Sequence, residues 1–220
     1  MSTSTSATAG QSAVSLKRIE RSVALIEIEG TASLIVHQWS EKARRMMLEA
    51  QQGKKSPKVA KDPKQDFLDS MYRFAGTDRS VIDPLSSHGI PTMALKAATV
   101  KGGSRAFGKS VKMTELRQSL IFLPDGLGDD GLQLTRLDIT GEPEMREDMV
   151  RVGMGTADIR FRAEYRTWKA MLRVEFLPNI IDLDSIVALV DAGGMNGVGE
   201  WRPEKNGAFG TYRVVGEDLA

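Results

Sequence analysis

The chain has 220 residues, 41% of them hydrophobic and 27% charged, and a formal net charge of +1. That apolar content is enough for a folded core and too high for a disordered chain. The absence of cysteine excludes disulfides, zinc–thiolate sites and thiol nucleophiles, and no apolar run approaches the roughly 18 residues of a membrane span.

Residues 1–17 are rich in Ser, Thr and Ala and lack an apolar h-region. They read as a disordered cytoplasmic tail, not a secretory signal, ahead of a single domain over residues 18–220. Arg21–Gly30 alternates as a strand, with Ala24, Ile26 and Ile28 on its apolar face. Thr31–Trp39 is apolar and expected to be buried. Ser40 is placed as the N-cap of a helix over Glu41–Gln52 that stops at Gly53, with Ala43, Met46, Met47 and Ala50 on one face. A basic linker leads to a short helix starting near Pro63. Another helix is expected over Thr92–Val100, ended by Gly102 and Gly103. Val111–Leu123 reads as a helix, alone or running into a strand. Asp125–Gly131 is a tight loop, and Leu132–Ile139 is a strand whose alternation slips near Arg136, where a bulge would repair it.

An acidic loop is expected next, holding Glu142, Glu144, Glu147 and Asp148. Ile159–Tyr165 then alternates, with Arg160, Arg162, Glu164 and Arg166 on the face opposite Ile159, Phe161, Ala163 and Tyr165. Trp168–Leu177 is a second strand. Asp182 or Asp184 caps a helix through Asp191 that ends at Ala192-Gly-Gly194, and a hairpin follows over Val198–Arg202 and Phe209–Val215, turning at Asn206-Gly207.

Charge is segregated along the chain. Lys42–Lys64 carries eight basic residues against two acids, and Lys96–Arg117 carries six against one. Asp125–Asp148 reverses this, with eight acids and two arginines. A near-neutral chain patterned in this way can bind a polyanion on one face, or copies of itself, basic face to acidic face. Gly103-Ser-Arg-Ala-Phe-Gly-Lys109-Ser110 satisfies the P-loop pattern. The residues before it read as helix, though, where a P-loop needs a buried strand. The bland reading is a flexible basic glycine-rich loop able to grip a phosphate backbone. The Asp125–Gly131 loop lacks EF-hand spacing and its terminal Glu. Of the two histidines, His37 and His88, His37 lies in an apolar segment and reads as partly buried. No Ser-His-Asp arrangement is present.

Ile26–Ser40 places a Gly30-Thr31 pair at the end of a strand that runs into Leu34-Ile-Val-His37. This segment resembles the opening of the RAMP superfamily, in particular the backbone subunits that coat guide RNA in CRISPR surveillance complexes. Gly197–Val214 is similar to the glycine-rich ending of those folds, and Gly207-Ala-Phe-Gly-Thr-Tyr212 looks partly like an RRM strand motif. The chain as a whole resembles bacteriophage and prophage proteins, whose setting is the cytoplasm of a bacterial host. No long thumb-like insertion is obvious. The resemblance implies an α+β, ferredoxin-like fold of RRM/RAMP type: an antiparallel sheet with helices on one face and a helical, basic insertion at about 53–108. It also implies head-to-tail assembly on a single strand, as a binding subunit and not a catalyst.

The leading expectation is therefore a non-enzymatic protein, phage-encoded and homo-oligomeric, that binds single-stranded RNA or DNA without a cofactor. Lys96, Lys101, Arg105, Lys109 and Lys112 would meet phosphates through the glycine-rich loop, and Arg160, Arg162 and Arg202 would extend that track across the sheet. A phage assembly protein that self-associates without nucleic acid is the alternative. A nucleotide-dependent enzyme using Lys109 and Ser110 is a third.

Overall fold

The computed structural model describes residues 18–54, 60–76, 88–108, 112–129, 135–152 and 156–219. In chain order its first half holds β1 (Ser22–Gly30), β2 (Leu34–Val36), α1 (Glu41–Gln51), α2 (Pro63–Ser70), β3 (Tyr72–Arg73), β4 (His88–Pro91) and α3 (Thr92–Phe107). Its second half holds α4 (Met113–Ser119), β5 (Ile121–Leu123), β6 (Gly126–Leu127), β7 (Thr135–Ile139), β8 (Pro143–Val152), β9 (Thr156–Tyr165), β10 (Lys169–Phe176), α5 (Leu183–Asn196) and β11 (Tyr212–Leu219). The fold is α+β, and all its strand pairs are antiparallel.

The alternation of β1 does what its sequence implies: Ala24, Ile26 and Ile28 are fully buried. β1 lies between β10 and β11 in a four-stranded sheet of order β11-β1-β10-β5. On β10 the residues Ala170, Leu172, Val174 and Phe176 point into the same core. Helices α3 and α5 supply Leu95, Ala98, Ile186, Leu189 and Val190 to it. In chain order, α3 is followed by α4 and then β5, and α5 joins β10 to β11.

Both helices run through the glycines expected to stop them. α3 continues past Gly102 and Gly103 to Phe107, and α5 continues past Gly193 and Gly194 to Asn196. The reason is the approach of one helix to the other. A Cβ on Gly102 would stand 2.3 Å from the carbonyl oxygen of Ala192, so the glycines let two backbones touch. Phe67, Leu68, Met71, Ile90 and Leu95, which fall within the stretch expected as an insertion, sit in the core.

The acidic stretch is not a loop. Residues 143–152 form β8, which pairs with β9 from Pro143 opposite Tyr165 to Val152 opposite Thr156. Its carboxylates are neutralised from neighbouring positions: Glu144 meets Arg166 at 2.8 Å, and Asp148 meets Arg146 at 2.8 Å. β2 borders the other side of β9, and α2 packs on it, with the Ser70 hydroxyl accepting from the Ala163 amide at 2.9 Å.

The third sheet has the order β3-β4-β7-β6. The β4–β7 ladder runs unbroken from His88 opposite Ile139 to Pro91 opposite Arg136, so no bulge is needed. Leu137 and Ile139 face the core, while Arg136 is buried on the opposite side beneath the Tyr72 ring, 4.9 Å from its centroid.

Two further expectations change. Ser40 does cap α1, accepting from the Ala43 amide at 3.2 Å, yet no residue of α1 is buried, and Met46 and Met47 lie exposed. The expected C-terminal hairpin is a loop followed by one long strand. Val198 and Gly210 are linked by a 2.9 Å backbone bond, Pro203–Lys205 is a 3-10 turn, and Asn206 takes the left-handed conformation at φ 62°.

Candidate nucleic-acid interface

α3 presents its inner side to the core through Leu95, Ala98, Thr99 and Val100. Its outer side carries Met93, Lys96, Ala97, Lys101 and Arg105. α4 packs beside it and adds Arg117. The run from Thr92 to Ser119 contains six basic residues and one acid, Glu115. Met93, Lys96, Ala97, Val100, Lys101 and Arg117 line a hollow of about 310 Å³. Its floor is apolar and its rim is cationic.

The neutralisation of these cations is uneven. Lys112 pairs with Glu115 at 2.9 Å. Lys101 pairs with Glu204, whose carboxyl is held down to about 2, first by its hydrogen bond from Lys101 and then by that from Arg202. Arg105 reaches only the Asn196 side-chain oxygen, at 3.5 Å. Among the described residues, Lys96 and Arg117 make no ion pair.

The arginines expected to extend the track are placed differently. Arg160 is half-buried and stands 3.7 Å from Asp158. Arg162 is 2% exposed; its Nη1 donates to Asp148 Oδ2 at 3.2 Å. Alternation placed Arg162 on an outer face, but the loop between α5 and β11 covers that face. Arg146 lies there 4.8 Å from the Phe209 ring centroid, and Glu200 of the same loop approaches Arg162 to 4.0 Å. Arg202 is half-buried, donating to the Gly199 carbonyl at 2.7 Å and to Glu204 at 2.9 Å. Lys109 lies outside the described residues.

The structure thus gathers Lys96 and Lys101 with Arg117, and leaves Arg162 and Arg202 committed internally. Arg117 was signalled in the sequence only by the excess of basic residues over Lys96–Arg117. Gly102 and Gly103 lie inside α3, with Gly103 buried against Leu189, so they form neither the P-loop nor the flexible glycine-rich loop expected to carry the cations. Ser110 lies outside the described residues.

The sheet face away from α3 and α5 is an ion-pair lattice. Lys169 stands 3.6 Å from both Glu27 and Glu29, Arg213 3.2 Å from Glu29, and Arg173 3.0 Å from Asp125. The Arg213 hydrogen bond and then the Lys169 charge hold the Glu29 carboxyl below its usual range. Tyr212 is buried, so it offers no stacking surface.

No family model and no curated protein matches this chain. Solved structures do. One is a chain in the cryo-EM structure of the Type III-B Cmr-beta bound to cognate target RNA, with a TM-score of 0.48 and 8% identity over 90% of this chain and 60% of that one. Another is the crystal structure of Cmr6 from Pyrococcus furiosus, with a TM-score of 0.41 and 9% identity over 90% of this chain and 100% of that one. The present chain therefore spans 60% of the length of the Cmr-beta chain.

The α3–α4 hollow combines cationic and apolar side chains. Lys and Arg at its rim suit phosphate oxygens, and the exposed Met93 and Ala97 suit the apolar flank of a sugar or base. No group of three or more His, Asp and Glu side chains positioned to hold a metal occurs among the described residues. Nor is any helix there long and apolar enough to cross a membrane.

Proposed function

We propose that this protein binds single-stranded nucleic acid through the outer face of α3 and α4. The observation that carries this reading is the hollow bordered by Lys96, Lys101 and Arg117, within a run of six cations and one acid. Phosphate contacts dominate affinity for nucleic acids, and this face offers Lys96 and Arg117, which make no ion pair among the described residues, beside Lys101, which Glu204 already holds. The strand order β11-β1-β10-β5, with α3 and α5 on one side, fits a ferredoxin-like palm. The resemblance of Gly30–His37 to RAMP proteins agrees with that assignment and favours RNA. The single domain is taken to span residues 18–220.

Basic-to-acidic self-association has less to draw on. Asp125, Glu144 and Asp148 are already paired with Arg173, Arg166 and Arg146 of the same chain, so three of the eight acids of that stretch are spent internally.

Fluorescence anisotropy with labelled single-stranded RNA and DNA tests the proposal. Wild-type protein should bind at low salt, and the triple variant Lys96→Glu/Lys101→Glu/Arg117→Glu should not. Equal binding by both proteins would remove the α3–α4 face from the account.

A further inference from the structure

A second cleft, sharing no residue with the α3–α4 hollow, opens between α1, α2 and β9. Its volume is about 800 Å³, within the range of small-ligand pockets. Gln38, Trp39, Met46, Asp66, Arg160 and Phe161 are among the side chains that line it.

Gln38 points to a ligand. It is 4% exposed, and its backbone amide is fixed by a 2.8 Å bond to the Ser70 carbonyl. Its side-chain Oε1 is buried without a hydrogen-bond partner. A buried carboxamide left unsatisfied is costly, and a ligand donating to it would recover that loss. Next to it, Trp39 is 52% exposed, an aromatic surface at the rim that the core does not use. Burial, then the charges of Arg162 and Arg160, pushes His37 down to about 4, so its ring is neutral near pH 7 and offers one donor and one acceptor.

The charge balance narrows the chemistry. Lys42, Lys61 and Arg160 line the cleft together with Asp66, Asp69 and Asp158. Asp158 is occupied by Lys61 and Arg160, and Asp69 accepts from the Gln65 side chain at 2.9 Å. Such a site is no polyanion funnel. It combines an aromatic rim, a carboxamide, a neutral imidazole and, in Asp66, a carboxylate able to accept from N–H groups. Those are the complements of a planar heterocycle that donates from an amine.

We propose that this cleft binds a nucleobase bearing an exocyclic amine, stacked on Trp39 and hydrogen-bonded by Gln38. The base belongs either to a bound strand or to a free nucleotide; the chemistry recognised is the same.

Tryptophan emission of the full chain, titrated with adenosine and uridine monophosphates and with A-rich and U-rich oligonucleotides, tests this. The adenine probes should quench emission, the uracil probes should not, and Trp39→Phe should change the quenched component. Trp39→Ala, at an exposed position, should weaken adenine binding about five-fold or more. Gln38→Leu, checked for folding by circular dichroism, should do the same. Binding of monophosphate and oligonucleotide alike identifies a free-nucleotide site. Binding of the oligonucleotide alone identifies a base of a strand, and both outcomes support the cleft. Equal affinity of wild type and Trp39→Ala for every probe, or equal affinity for adenine and uracil, overturns it. The α3–α4 triple variant leaves the cleft intact. If oligonucleotide binding proves indifferent to that variant but sensitive to Trp39→Ala, the α3–α4 reading fails and the cleft stands.

Discussion

Arg162 Nη1 stands 3.2 Å from Asp148 Oδ2 across the β8–β9 pair, and the two side chains are only 3% and 9% exposed. Breaking this pair removes one of two arginines from a buried carboxylate, Arg146 at 2.8 Å being the other, so part of the penalty of an unpaired buried charge is spared. Arg162→Ala should therefore lower stability by about 1–3 kcal/mol, measured by urea denaturation. Its affinity for oligonucleotides, measured where the variant is still folded, should match wild type, because the guanidinium does not face solvent. A loss of binding without a loss of stability would return Arg162 to the binding surface.

The contact between α3 and α5 depends on having no side chain at Gly102. A Cβ there would lie 2.3 Å from a backbone oxygen, which no rotamer change relieves. Gly102→Ala should cost about 1–3 kcal/mol by forcing the helices apart, despite the higher helix propensity of Ala. Thermal unfolding checks this; a stabilised variant would mean the helices do not pack as described.

His37 makes stability depend on pH. Its folded pKa is about 4 against an ordinary value of 6.5, so between those values the unfolded chain binds the extra proton. Stability then rises with pH across that window. The contribution is fully present above about pH 6.5 and is lost as pH falls toward about 4, on the order of 2 kcal/mol. His37→Gln should flatten the denaturation midpoint between pH 4 and 6.5 relative to wild type. Parallel profiles would contradict the burial of the ring.

Glu204 holds Lys101 and Arg202 together. Its carboxyl is held at about 2 against an ordinary value of 4.5, so its stabilising effect is present above about pH 4.5 and lost as pH falls toward 2. At neutral pH it also competes with any anion for Lys101. Glu204→Gln should strengthen oligonucleotide binding about two- to three-fold at low salt, read by anisotropy. A weaker complex would mean that Glu204 positions Lys101 more than it neutralises it.

The sequence displayed the core strands clearly. β1 and β10 each bury one face, and the period of two in Ala24, Ile26, Ile28 and in Leu172, Val174, Phe176 follows directly from that. The sequence offered Asp182 or Asp184 as the cap of α5, and Asp182 is the one that accepts from the Ser185 amide, at 2.7 Å. Elsewhere one residue type served two purposes. Glycine pairs end helices, but they also let helices touch, and Gly102 and Gly193 do the second. Acid-rich residues suggest a loop, yet Glu144 and Asp148 are strand residues facing arginines that lie distant in sequence. The neighbourhood of Gln38 and Trp39 could not be read either, because its walls come from α2 and β9, far along the chain. Of the binding surface, the excess of lysine and arginine was legible; which of them share one hollow is a consequence of how α4 packs on α3.

The most direct measurement is the salt dependence of oligonucleotide binding for wild type and for Lys96→Glu/Lys101→Glu/Arg117→Glu. Each phosphate contact on a single strand contributes about −0.7 to the slope of log K against log salt. Losing three contacts should flatten the slope by about two, together with a fall in affinity at low salt. Identical slopes, or wild-type binding that ignores salt, would contradict the assignment of nucleic-acid binding to the face formed by α3 and α4.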